Sequence, residues 1–369
     1  MSNIKTIAQV LPSLNSGGVE RGTLEIADFI VKKKYNSIVI SGGGRLVENL
    51  ENSGSKHIEL NIGTKSPLVL LSIPKIISII KRQHIDLIHV RSRLPAWIIY
   101  LSLKFIAKNK RPFFVTTIHG YNSVSFYSSI MTKGDSVIVV SESLKKFILK
   151  NYGTKEEKLK VIHRGIPKNF SIPKDSKYKK WLLNWREDFQ LSRGAKVLTI
   201  SGRIARNKGI EIFIDLISRL KKNNINVIGL IVGEAKSKNY LELIKDKIKK
   251  NKLHNEIKLL GFRADIYNIY SVSDIVYAIS TSPEAFGRTV IESLKINVPV
   301  IGFKHGGVGE QLESIFPEGI VELNNMDELF VKTLLFLEKK PRVKKFNMFT
   351  LEEMQNKTLS VYKSLLNKV

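Results

Sequence analysis

The chain has no cysteine. That absence excludes a disulfide scaffold, a zinc-thiolate site and a cysteine nucleophile, and it favours a reducing compartment. Long apolar runs are missing as well. The two longest, residues 68–80 and 94–107, are interrupted by Pro74 and Lys75 and by Lys104. Neither reaches the roughly 18 uninterrupted apolar residues that a membrane span needs. Residues 1–14 lack the charged start, apolar stretch and small-residue cleavage site of a signal peptide, so a cytoplasmic protein is expected. Acidic residues are scarce, 33 against 60 Lys and Arg, which leaves a formal charge of +27. Residues 1–175 hold 27 basic and 12 acidic side chains and residues 176–369 hold 33 and 21, so the excess is not carried on one arm. There is no arginine-aromatic module, zinc finger or repeated basic helix, and nucleic acid is therefore not expected as a partner. Loose contact with an anionic membrane surface or with phosphorylated ligands remains open. So does the plainer reading that abundant Lys, Ile and Asn reflect AT-rich codon usage.

What is present suits two α/β domains. At 369 residues and 43% apolar, the chain is long enough to fill two cores. Residues 5–11, 37–41, 86–90, 113–118, 136–140 and 160–163 read as strands, with helical periodicity over 19–33, 67–82, 95–108 and 142–151. Fully apolar strands between amphipathic helices predict a parallel sheet covered on both faces. The pattern lapses between 165 and 194, read as a linker and a lead-in helix, and then restarts. Strands follow at 197–201, 227–232, 257–260, 275–279 and 298–303, and helices at 209–222, 240–251 and 289–295. Two tandem Rossmann-like, doubly wound parallel-sheet domains are expected, over 1–170 and 171–350. The amphipathic helix 351–367 is expected to pack back on the first domain.

Three glycine-bearing turns carry the chemistry. Ser16-Gly17-Gly18 follows the first strand and opens a helix, where bare amides and the helix dipole suit an anion. This is not GxGxxG, so a dinucleotide cofactor gets little support. A sharp bend alone would also explain it. Residues 202–209 (GRIARNKG) place Arg203, Arg206 and Lys208 after a strand end, where open α/β sheets bind ligands. Guanidinium and ammonium together suit a diphosphate; a solvated basic turn is the alternative. Residues 282–292 (SPEAFGRTVIE) bracket a helix start with Glu284 and Glu292. One carboxylate there can meet sugar hydroxyls and the other a ribose, with amides near Gly287 facing phosphate.

On these residues the chain resembles the retaining glycosyltransferases of GT-B fold in the large family four. The similarity runs nearly the whole length, through SGGVERG (16–22), TTIHGY (116–121), GDSVIVVSES (134–143), GRIARNKG, the Glu284–Glu292 segment and HGGVGEQLE (305–313). The resemblance implies a nucleotide-diphosphate sugar, UDP- or GDP-linked, bound in a cleft between the two domains. Gly17 and Gly18 would face the donor phosphates, and Arg203 and Lys208 would neutralise the diphosphate. Glu284 would contact the transferred sugar and Glu292 the ribose. Phe286, Gly287, Arg288 and Thr289 would line the phosphate and sugar region. His119 would approach the donor sugar, and Gly233, Gly261 and Phe262 would lie near the base.

Transfer would keep the anomeric configuration with no side-chain nucleophile. Missing a DxD-type acidic cluster, the chain fits metal-independent transfer and no further cofactor. Two positions depart from the family pattern: Arg288 replaces an aliphatic residue, and HRGIP (163–167) replaces the commoner P-N-G form. For an anionic acceptor, a saccharide or a lipid-linked sugar, Arg91 and Arg93 at a strand end and Tyr121 and Asn122 beyond His119 are candidates; solvated strand-end charges are the alternative. His57, His84, His163, His254 and His305 lack metal spacing. The apolar-basic run 97–111 is either a core helix or a segment grazing a membrane. A role in envelope polysaccharide or lipopolysaccharide synthesis is expected. Alternatives are a nucleotide-sugar epimerase, a non-catalytic donor-binding partner, or a glycosidase-like use of the two glutamates.

Overall fold

The computed structural model describes residues 4–15, 17–168, 170–172, 175–188 and 194–367. Ser16 of the first glycine turn lies outside the described residues. The chain divides into two compact units, Met1–Gly165 with Phe349–Val369, and Ile166–Met348.

In the first unit the strands are β1 (Thr6–Val10), β2 (Asn36–Ser41), β3 (Lys56–Glu59), β4 (Ile85–Val90), β5 (Phe113–Ile118), β6 (Ser136–Val139) and β7 (Leu159–Val161). They form one parallel sheet in the order β3-β2-β1-β4-β5-β6-β7. Its helices are α1 (Gly18–Lys32), α2 (Val47–Asn52), α3 (Ile73–Arg82), α4 (Arg93–Lys104), α5 (Phe126–Ser129) and α6 (Glu142–Tyr152). Every residue of β1 is buried, as expected of a strand with helices on both faces. The periodicity over 67–82 predicts one helix, but a 3-10 turn at Pro67–Ser72 precedes α3. Pro74 explains the break: it has no N–H and its ring crowds the carbonyl four residues back.

The second unit holds β8 (Lys196–Ser201), β9 (Val227–Val232), β10 (Ile257–Gly261), β11 (Ile275–Ala278), β12 (Val300–Phe303) and β13 (Ile320–Val321). Their order is β10-β9-β8-β11-β12-β13, again all parallel. The helices are α7 (Ser176–Asp188), α8 (Ile210–Lys222), α9 (Lys238–Lys250), α10 (Ile266–Val272), α11 (Arg288–Lys295), α12 (Gly306–Ile315) and α13 (Met326–Glu338). In each sheet the chain builds outward on one side and then crosses back. The order reverses between β1 and β4, and between β8 and β11, and the carboxyl ends of those strands flank the crevice where such sheets take ligands.

The last helix, α14 (Leu351–Leu366), is built into the first unit's core. Thr350 caps it by accepting from the Glu353 amide at 3.2 Å. Its Met354, Leu359, Tyr362 and Leu365 pack with Ile7, Ile26, Leu87 and Val115 of the sheet and α1. A Cβ on Gly165 would lie 2.3 Å from the Thr350 carbonyl oxygen, so the two chain segments pass at a distance only glycine allows.

Candidate active site

At the switch point of the second sheet, the loops after β8, β9, β10, β11 and β12 meet. Gly202, Gly233 and Gly261 stack as a row: the Gly202 amide donates to Val232 at 2.9 Å and the Gly233 amide to Gly261 at 2.8 Å. Beyond Gly202 the chain runs through exposed Arg203 to a short turn, Arg206–Lys208, and into α8. Gly209 makes that entry with φ of 72°, where a Cβ would stand 2.1 Å from the Ile279 carbonyl oxygen. The Thr281 amide bonds the Asn207 carbonyl at 3.0 Å, tying this turn to the loop after β11.

These ties bring Lys208 to Glu284. Lys208 Nζ lies 2.8 Å from Glu284 Oε1, and both side chains are about a quarter exposed. Ser280 Oγ donates to the same oxygen. The Glu284 carbonyl accepts from the Gly307 amide at 2.7 Å, at the start of α12. His305 Nε2 donates to the Ser280 carbonyl at 2.7 Å. Bare glycines let α12 come this close, since a Cβ on Gly306 or Gly307 would fall 2.6 Å from the Glu284 or Ala285 carbonyl oxygen. Gly287, at φ 86°, starts α11 in the same loop. Two helix N-termini, with their positive dipole ends, therefore flank the Lys208–Glu284 pair.

Glu292 lies farther along α11 and is 6% exposed. Arg288 Nε stands 3.1 Å from its Oε1, and the Tyr267 hydroxyl donates to it at 3.3 Å. Arg288, which departs from the family pattern, thus has a partner one turn away that opposes its charge. Thr289 Oγ1 is 3.3 Å from Ser201 Oγ, which also contacts the Tyr270 hydroxyl at 2.6 Å. Phe286 is buried, and its carbonyl accepts from Gln311. Phe262 is exposed beside Gly261.

In the first unit, Gly17 (φ 138°) precedes α1, and a Cβ on Gly18 would meet nothing within 4 Å. His119 follows β5, with Arg164 Nη2 2.9 Å from its Nδ1. Tyr121 donates to Ser143 Oγ at 2.9 Å and stacks edge-on with Phe147, 5.1 Å between centroids, so it is held on α6. Asn122 is partly exposed. Arg93 reaches Ser128 Oγ at 2.9 Å and covers the Tyr127 ring. Arg91, expected to meet an acceptor, instead points inward. It is 4% exposed, with Nε and Nη2 at 3.2 and 2.6 Å from Gln9 Oε1. A strand end can turn its last side chain to either face, and here the buried amide of Gln9 supplies the acceptor.

Burial shapes the protonation of this unit. His89 contacts the Tyr362 hydroxyl at 2.6 Å and Thr117 Oγ1 at 2.5 Å. Desolvation, then Arg91 and Arg164, hold His89 well below the ordinary imidazole range. His119 is depressed likewise, by burial first and then by Arg164, Arg91 and His89. The unfolded chain takes up these protons near pH 6.5, whereas the folded chain resists until well below it. The unfolded state then binds more protons, so stability must fall with acidification. Unfolding free energy should drop by up to about 1.4 kcal/mol per pH unit per histidine below roughly pH 6.5. Urea melts at pH 7.5 and 5.5 read this directly, and His89→Gln should shallow the slope. An unchanged slope would remove His89 as its source.

The sequence profile of the glycosyl transferases group 1 matches residues 183–350, and that of Glycosyltransferase Family 4 matches residues 16–170. A glycosyltransferase from Rickettsia africae ESF-5, known from its crystal structure, is 34% identical, with 100% of both chains covered and a TM-score of 0.85. The chain belongs to the GT-B-fold glycosyltransferases of family 4.

Among more distant glycosyltransferases, the UDP-Gal:alpha-D-GlcNAc-diphosphoundecaprenol alpha-1,3-galactosyltransferase of Escherichia coli is 23% identical over 392 residues, covering 96% of this chain and 95% of that one. An Anabaena protein crystallised in complex with UDP-glucose shares the fold, with a TM-score of 0.75, 21% identity and 98% and 95% of the two chains covered. The chain spans about half or less, 47% and 38%, of the length of two other curated relatives.

Sequence reasoning singled out Lys208, Glu284, Gly287 and Glu292 of this glycosyltransferase, quoted HGGVGEQLE without giving Gly306 and Gly307 a role, and passed over Ser280 and Tyr267. The glycine pair after β12 carries the same signal as Gly287, a strand end opening directly into a helix. Among the described residues, no group of three or more His, Cys, Asp or Glu is placed to hold a metal ion. No helix among them is long and apolar enough to cross a membrane.

Proposed function

We propose that the enzyme transfers a hexosyl group, with retention of configuration, from a nucleotide-diphosphate sugar to a saccharide or lipid-linked acceptor. The observation that carries this reading is the Lys208–Glu284 pair at the switch point, set between the two glycine-opened helix starts. Lys208 and Arg203 neutralise the diphosphate as it leaves, and the α11 and α12 amides add hydrogen bonds to its oxygens. Glu284 orients the sugar hydroxyls and Glu292 the ribose. The acceptor oxygen bonds to the anomeric carbon on the face from which the phosphate oxygen departs, and that oxygen takes the acceptor's proton. No side chain need become covalently attached, and no metal is needed where two cations and two helix dipoles meet the developing charge.

The test is a thermal-shift screen of UDP- and GDP-sugars against wild type and Lys208→Ala. One donor at 100 times its Kd should stabilise wild type by about 2.7 kcal/mol, and the variant should lose most of that. Silence across the whole panel would end the reading. Transfer should persist in EDTA, and loss of it there would end metal independence.

Similarity to a galactosyltransferase named for a diphosphoundecaprenol-linked acceptor supports a role in envelope polysaccharide or lipopolysaccharide synthesis, which we infer takes place on the inner face of the membrane. An exposed apolar patch on the first unit favours a peripheral contact. Leu68 and Leu71, Phe105 and Phe126 are each more than 70% exposed, beside Lys65, Lys104, Lys108 and Lys110. Apolar area with basic residues around it suits an anionic lipid surface. Wild type should float with vesicles containing anionic lipid, and Leu71→Asp with Phe126→Asp should abolish this. Equal flotation with neutral vesicles would remove the charge argument.

A further inference from the structure

Arginine offers only N–H groups and stays protonated. The 2.9 Å contact from Arg164 Nη2 to His119 Nδ1 therefore requires Nδ1 to accept, so the ring's single proton sits on Nε2. Nε2 is buried and has no hydrogen-bond partner among the described residues. A buried donor left without an acceptor is costly, and a ligand oxygen placed against it would satisfy it. We propose that Arg164 is a positioning residue that keeps His119 neutral, with its proton on Nε2, so that this N–H donates to a hydroxyl oxygen of the transferred sugar. The identity of that oxygen rests on the glycosyltransferase reading; the tautomer does not.

The surroundings are shaped to hold Arg164 in place. Its guanidinium is buried, with Nη1 3.7 Å from Met354 Sδ of α14. Gly22 of α1 makes the room, since a Cβ there would lie 2.4 Å from Nη1. Besides Arg164, the groups acting on His119 are Arg91 and His89 at the end of β4, and each disfavours a second proton on the ring. Residue 164 lies in HRGIP, and among its contacts are His119, 45 residues earlier, and Met354 of α14.

Nitrogen-15 spectra of the full-length protein, labelled at histidine, test this without any substrate. Wild type should show a pyrrole-type Nε2 and a pyridine-type Nδ1 for His119, unchanged from pH 8 to 5.5. Arg164→Met should mix the tautomers and raise the ring's ionisation, with burial, Arg91 and His89 still holding it below the ordinary imidazole range. Gly22→Ala keeps the arginine but pushes it off the ring, and should cause the same change. It also gains helix propensity, so it guards against a variant that merely fails to fold. Arg164→Lys should restore the Nε2–H form.

In transfer assays, Arg164→Met should lose about tenfold in kcat/KM, the worth of one hydrogen bond. It should also acquire an acidic limb that the Lys variant lacks. A wild-type proton on Nδ1, or tautomers unmoved in both Arg164→Met and Gly22→Ala, would overturn the proposal. So would a tautomer that switches as expected while transfer kinetics stay level, since His119 would then not serve the sugar. The donor screen with Lys208→Ala judges the glycosyltransferase reading separately.

Discussion

Lys208→Ala should lower kcat/KM for the nucleotide-sugar donor by about 100- to 1,000-fold, the usual effect of removing one preorganised group facing developing charge. Stability should hardly change. The Lys208–Glu284 pair is about a quarter exposed on both sides, and a pair so placed contributes at most about 1 kcal/mol to folding. Ser280 still donates to Glu284 when the lysine is gone, so the carboxylate keeps a partner. The loss therefore belongs to the transition state, where charge builds on the departing diphosphate. Lys208→Arg should recover much of it, since charge is retained while the planar fork reaches the oxygens at different angles. Donor hydrolysis without acceptor should fall in parallel with transfer, because both break the same bond. Steady-state rates for the three proteins decide it. Rates within threefold of wild type for Lys208→Ala would remove the lysine from the chemistry and leave the pair a structural tie.

The parallel strands were legible because both faces are covered, which makes their sequence a run of apolar, often β-branched residues. Where that condition fails, the signal fails too. β3 lies at a sheet edge with no residue fully buried, and β13 has two residues, so neither shows a strand's pattern. In the site, Gly287 and the two glutamates could be read because strand end, glycine and helix start are contiguous. The Lys208–Glu284 contact could not, since it depends on Gly209 lying against Ile279 and Asn207 bonding Thr281 across the switch point. Arg91 misled for the same reason: its partner Gln9 is 82 residues away, on the neighbouring strand. Arg164 reads in sequence as a break in the family pattern. Its meaning appears only when α1, β5 and α14 stand around it.

Gly233→Ala should destabilise the second unit by about 2–5 kcal/mol, combining a strained backbone with a clash that backbone atoms cannot avoid. Its φ is 150°, and a Cβ would lie 1.8 Å from the Gly202 carbonyl oxygen and 2.7 Å from its carbon. Gly261, in the same row, is the control. It has φ of 63° but nothing within 4 Å of a Cβ, so Gly261→Ala should meet only the left-handed penalty of roughly 1–2 kcal/mol. The difference between the two variants isolates the contact from the conformation. Relief of the clash requires the loop after β9 to move away from the loop after β8, which also carries Arg203. Donor affinity should then fall together with stability in Gly233→Ala, and much less in Gly261→Ala. Hydrogen exchange locates the damage: amides of β8 and β9 should exchange faster, while those of β1 and β4 keep wild-type rates. Equal destabilisation by the two variants would mean that the loops after β8 and β9 are not in contact at Gly233.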